Sequence, residues 1–176
     1  LIYLVLDCDQ FSPTWDAYYF PEEAVPISRM SEPKNFSRTT EPRGRTVLCA
    51  ELPSDPGQPE WDMNDDELGK RLCDWVERTG LPRPGPVVRV VTRRLRQAYP
   101  VYRKDYEKHF SRMDQWLGGI DGLLTLGRQG LFAHDNTHHT LAMAYAAAAC
   151  LSPDGRFDRA RWAENRKEFE THVVED

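Results

Sequence analysis

The sequence predicts an α+β fold, a mixed but mainly antiparallel sheet with helices packed on one face. Three patterns carry this reading. Short β-branched and aromatic runs crowd the first third, apolar residues at helical spacing dominate afterwards, and Pro, Gly and Asn punctuate the boundaries.

Residues 1–8 are apolar and β-branched and predict a first strand; Asp9, Ser12, Pro13 and Thr14 supply turn chemistry before a second run at 17–20. Further strands are expected at 25–30 and 46–52, separated by a Pro-, Arg- and Thr-rich connection at 33–45 that reads as long and mobile. After a Pro-rich stretch, Asn64 followed by Glu67 fits a capping box, and Leu68, Leu72, Trp75 and Val76 then fall on one helical face, with Gly80 as the stop. The run 87–99 is β-rich and ends at Pro100. Tyr102, Tyr106, Phe110, Met113 and Leu117 recur at helical spacing up to Gly118 and Gly119. Leu123 to Leu126 then predict a short strand, 127–136 a loop, 137–151 an alanine-rich helix, and a last helix runs to about residue 173.

At 176 residues the chain is long enough for one domain with a real core, so a single compact unit is expected: sheet and helices over 1–126, the loop and helix at 127–151, and a C-terminal helix at 152–176. A net charge of -5 argues against nucleic acid or an anionic membrane surface as partner. Cys8, Cys49, Cys73 and Cys150 form no C-x-x-C pair, which fits a reduced, cytoplasmic setting without a zinc or redox dithiol site. The opening apolar run ends at Asp7, far short of the roughly 20 residues a membrane helix needs. With no starting methionine, the chain is expected to be trimmed, processed or cut from something longer.

The segment LLTLGRQGLFAHDNTHHTLAMAYAAAA, 123–149, concentrates the candidate chemistry. Gly127 and Gly130 allow a backbone to approach a ligand, and Asp135 and Asn136 stand at a helix start, whose free amides favour an anionic or electron-rich group. The plainer reading makes Asp135 or Asn136 an N-cap and Arg128 a structural arginine. His134, His138 and His139 flank Asp135, but H-E-x-x-H is absent, so no metal is expected; His134 is a candidate acid or base. Arg89, Arg93, Arg94 and Arg96 form a basic strip that reads as a solvated strand face or a hold for an acidic substrate.

The run QAYPVYRKDYEKHFSRMDQWLGGIDGLLTLGRQGLFAHDNTHHTLAMAYAAA, 97–148, resembles the C-terminal end of FAD-dependent flavoproteins of the amine-oxidase, protoporphyrinogen-oxidase and UDP-galactopyranose-mutase-like group. The stretches LIYLVLDCDQ and YYFPEEAVPISRMSEPKNFS resemble the substrate-domain sheet of that group. The resemblance implies FAD as cofactor, with Gly127, Arg128, Gln129, Gly130, Asp135 and Asn136 facing it. Arg128 would stand near phosphates or substrate, Asp135 at the ribityl chain, and the Asn136 amide near a flavin carbonyl. Tyr99, Tyr102, Phe132 and His134 would line a pocket for a small-molecule substrate.

One departure bears on all of this. The group holds the ADP half of FAD on an N-terminal β-α-β unit with G-x-G-x-x-G, and that motif is absent from the 176 residues. The sequence therefore supports three readings. The first is the substrate-side and flavin-facing part, or a shortened relative, of an FAD-dependent oxidoreductase, partnered by a separate nucleotide-binding chain or forming a homo-oligomer. The second is a cofactor-free cyclase, isomerase or binding module on the truncated fold. The third is a non-catalytic subunit, which an exposed apolar patch along the alanine-rich helix would favour.

Overall fold

A computed structural model of the chain describes residues 1–37 and 39–174. It divides into two compact units, Leu1–Arg96 and Gln97–Asp176, where the sequence reading has one.

The first unit is built on five strands: β1 (Ile2–Leu6), β2 (Ala17–Tyr19), β3 (Arg29–Ser31), β4 (Thr46–Glu51) and β5 (Val87–Thr92). Their order across the sheet is β2-β3-β4-β1-β5, and every pairing is antiparallel, so the parallel component of the expected mixed sheet is missing among the described residues. Alternation fixes the register. In β1, Ile2, Leu4 and Leu6 are buried while Tyr3 and Val5 are half-buried, because successive side chains leave opposite faces of a strand. Leu4 pairs with Leu48 on one side and Val90 on the other, which puts the apolar residues of three strands on one face.

The unit also holds α1 (Pro33–Phe36), α2 (Pro59–Asp62) and α3 (Asp65–Arg78). The capping box is present: Asn64 Oδ1 accepts from the Glu67 amide at 3.0 Å, and Glu67 Oε2 accepts from the Asn64 amide at 3.0 Å. Leu68, Leu72, Trp75 and Val76 of α3 join Ile2, Leu4, Leu6, Ile27, Met30 and Leu48 in one core. Gly69 lies where a methyl group would collide with Val90, so its missing side chain is what lets the helix sit down on β5.

Three expected features differ. The strand at 87–99 stops at Thr92, because its partner β1 runs out: the Arg93 amide reaches Leu1 O at 2.9 Å, and there the ladder ends. The strand at 25–30 shrinks to Arg29–Ser31. The connection at 33–45 carries α1 and is tied down by buried Lys34, whose Nζ donates to the carbonyls of Asp9 (2.9 Å), Pro42 (2.7 Å) and Arg45 (3.0 Å). Nor is the basic strip an open cation face throughout. Arg94 donates to the Trp61 and Met63 carbonyls, and Arg93 to that of Thr92.

The second unit is helical: α4 (Tyr106–Gly118), α5 (Gly127–Gly130), α6 (Thr137–Ala149) and α7 (Arg159–Phe169). The strand expected at 123–126 is extended chain without a ladder partner; Leu124 and Leu126 instead pack on a core of Leu131, Met143, Ala147, Cys150, Trp162 and Phe169. Arg166 of α7 grips both carboxylate oxygens of Asp114 on α4 at 2.9 and 2.8 Å. No helix among the described residues is long and apolar enough to cross a membrane.

Glu32 decides whether the first unit closes. It is fully buried and accepts from the Phe11 amide (2.8 Å), the Ser12 amide (3.0 Å), Asn35 Nδ2 (3.1 Å) and the Thr46 hydroxyl (2.6 Å). Each donor stranded in a buried site costs about 1–3 kcal/mol. Glu32→Ala is therefore expected to lower the urea midpoint of the first unit by the equivalent of about 3 kcal/mol or more. A midpoint unchanged in circular dichroism would show that the carboxylate does not hold these segments.

Candidate functional site

The candidate residues all lie in the second unit, around the turn between Leu126 and Thr137. Gly127 opens it with φ +79, a left-handed conformation that disfavours side chains, and its amide donates to Met143 Sδ at 3.2 Å. One helical turn follows, so the expected irregular loop contains α5. The Leu131 amide closes that turn on Gly127 O at 2.9 Å, and the Ala133 amide donates to Arg128 O at 3.1 Å.

Two contacts hold the Arg128 side chain. Its guanidinium carbon sits 4.5 Å from the centre of the Tyr99 ring, a cation–π arrangement, and Nη1 donates to the Asp135 carbonyl at 3.2 Å. Its Nε is buried without a hydrogen-bond partner among the described residues. Gln129 Nε2 donates to Ala98 O at 2.9 Å, so the loop is stitched to the segment just before Tyr99.

Asp135 and Asn136 stand immediately before α6, at the helix start the sequence predicts. Asn136 is the N-cap, and His139 fills the place a Glu or Gln takes in the usual capping box: its Nδ1 accepts from the Asn136 amide at 3.2 Å. Asp135 is the buried acid of the site. Its side chain is 2% exposed, its Oδ1 lies 3.2 Å from His172 Nδ1 and 3.4 Å from His139 Nδ1, and its Oδ2 has no hydrogen-bond partner among the described residues. The His139 and His172 rings stack at 4.2 Å with 13° between planes. His172 comes from the segment after α7, which ends at Phe169 rather than near residue 173.

The aromatic candidates separate. Phe132, at φ +50, anchors a cluster with Tyr102 (5.2 Å), Tyr106 (5.2 Å) and Phe110 (6.0 Å). Tyr99 is exposed and belongs with Arg128, and His134 is exposed on the turn. Burial, helped by Tyr106 and Asp135 and opposed by Arg128, raises the Tyr102 hydroxyl above the ordinary phenol range. Sequence reasoning gathered Asp135 with its near neighbours His134, His138 and His139; of these the fold brings His139 to the carboxylate, and it adds His172. No local pattern marks His172, which is 37 residues from Asp135.

The chain now defines a class by architecture: a five-stranded antiparallel sheet carrying α3 in one unit, and a helical unit with a polar turn at a helix start in the other. The architecture is similar to that of reduced UDP-galactopyranose mutase, with a TM-score of 0.58 and 21% identity over 73% of this chain and 27% of that one. At this identity the likeness is one of fold, and this chain spans little more than a quarter of that structure's length. No protein-family model matches the sequence. A comparison with curated proteins finds no match either.

Two measurements follow. A methyl on Gly127 would meet Thr140 Cγ2 at 3.1 Å in a left-handed backbone, whereas one on Gly130 would make ordinary 3.5 Å contacts with Thr125. Gly127→Ala should destabilise the second unit by about 1–2 kcal/mol and Gly130→Ala by much less; equal melting temperatures would refute the distinction. Tyr102 should ionise late in an ultraviolet pH titration, because the folded chain favours the neutral phenol. The linked stability is present below the unfolded phenol pKa and fades as pH rises through the folded value. Tyr102→Phe should remove one late-titrating phenol; a titration identical to wild type would contradict this.

Proposed function

We propose that this chain is the substrate-side sheet and flavin-facing turn of an FAD-dependent oxidoreductase or mutase-type flavoprotein acting on a small organic substrate. The fold likeness to UDP-galactopyranose mutase agrees with the group that the 97–148 run resembles. The observation that carries the reading is the pair of buried polar atoms without hydrogen-bond partners in one turn, the donor Arg128 Nε and the acceptor Asp135 Oδ2. Buried groups of this kind are normally satisfied, and a ligand with both donor and acceptor character would satisfy these.

The fit to FAD is partial. Arg128 and Asp135 have capacity left, while the amides of Gly127 and Asn136 are engaged by Met143 and His139. In this reading Arg128, oriented by Tyr99, holds negative charge on cofactor or substrate, and Asp135 accepts from a hydroxyl. The aromatic cluster around Phe132 excludes water beside them. The flavin, when bound, supplies the electron-accepting chemistry; the chain supplies position and electrostatics. Because G-x-G-x-x-G is absent here, the ADP half belongs on a nucleotide-binding unit outside this sequence. The exposed side of α6, with Leu141 and Tyr145 at 55% and 77% exposure, also suits a second reading in which the chain is a non-catalytic subunit covered by a partner.

Colour separates the readings. The assembly isolated through this chain from its native source should carry flavin absorbance, while the 176-residue chain alone should not retain FAD. Arg128→Ala should reduce the flavin content of the assembly about tenfold or more, consistent with loss of a charge-assisted contact. A colourless assembly, or full occupancy with Arg128→Ala, would overturn the proposal.

A further inference from the structure

We propose that Asp135, His139 and His172 form a binding site for a divalent transition metal, zinc in the first instance. These three residues bring one carboxylate and two imidazoles together with ligand atoms within 4.8 Å of one another. The separations are informative. Four ligands about 2.0–2.1 Å from a tetrahedral zinc stand about 3.3–3.4 Å apart, and the two His Nδ1 atoms lie 3.4 and 3.2 Å from Asp135 Oδ1.

The environment favours an ion over a solvated acidic cluster. The Asp135, His139 and His172 side chains are 2%, 13% and 17% exposed, so the carboxylate has almost no water to stabilise its charge. Among the described residues no Lys or Arg side chain forms an ion pair with it; Arg128 is turned to the Asp135 backbone carbonyl. Its Oδ2, buried and without a partner, is a further lone-pair site beside the cluster. The His139 and His172 rings stack, and both Nδ1 atoms lie beside the same carboxylate oxygen.

Ligand chemistry narrows the ion. Imidazole nitrogens suit zinc, copper, iron and nickel, whereas magnesium and calcium prefer all-oxygen sets. Three protein ligands leave a tetrahedral centre one position for water or another small ligand. The Asn136 amide donates to His139 Nδ1, so a metal taking that lone pair competes with the helix cap, and binding is linked to the start of α6. The site shares Asp135 with the flavin proposal, but it needs no cofactor and its test contains none, so either can fail without the other.

The test uses the full 176-residue chain, stripped with EDTA and titrated with zinc by calorimetry, with cobalt(II) as the spectroscopic probe. One equivalent should bind, the melting temperature should rise and fall back on EDTA addition, and cobalt should give the visible absorption of a four-coordinate N/O site. His172→Gln, outside any helix, should weaken binding about tenfold or more, as should His139→Gln; His109→Gln, on the exposed face of α4, should leave it unchanged. If His139→Gln fails to fold by circular dichroism, His172→Gln and the cobalt spectrum decide. Absence of saturable one-equivalent binding, or undiminished affinity in His172→Gln, overturns the assignment.

Discussion

A charge taken out of water must be met by partners, and in each unit that requirement falls on a few side chains with no freedom to be elsewhere. In the first unit Glu32 and Lys34 stand two residues apart, both buried. One collects donors from the 11–12 segment, Asn35 and Thr46; the other collects carbonyls from Asp9, Pro42 and Arg45. They convert a connection rich in Pro and Arg, which has no apolar reason to pack, into the piece that fastens the β1, β3 and β4 ends. In the second unit the corresponding charge is Asp135, and it is met less completely.

That incompleteness is what gives the turn chemical interest. Several of its amides are committed, with Gly127 bonded to Met143, Asn136 to His139, and Ala133 to Arg128. What remains are side-chain atoms, the Arg128 Nε and the Asp135 Oδ2, in a region too buried for water to serve them freely. These two side-chain atoms are where the proposed function would place a polar ligand, because buried polar groups are normally matched. An organic cofactor and a metal ion would share Asp135 and differ in the rest, the first using Arg128 and the second the histidines.

Much of the fold was legible because it rests on short-range physics. The α3 capping box involves side chains three residues apart, and the β1 alternation is a period-two pattern, so both can be read from sequence. The errors share a cause. A run such as 93–99 or 123–126 has strand composition, yet a strand exists only where another backbone supplies its hydrogen bonds. β5 loses its partner at Leu1, and the 123–126 segment has none in its helical unit.

The sequence by itself determined the antiparallel sheet character, the amphipathic face of α3, and the concentration of polar residues between Leu126 and Thr137. These depend on residue type and spacing along one strand or helix. Only the tertiary structure decided that the cap of α6 would be completed by His139, that Arg128 would lie on Tyr99, and that His172 would arrive beside Asp135 from 37 residues away. Contacts at such separations are set by where α7 ends and how its core face packs against α6. Their energy belongs to the packed whole, and no local stretch of sequence encodes it.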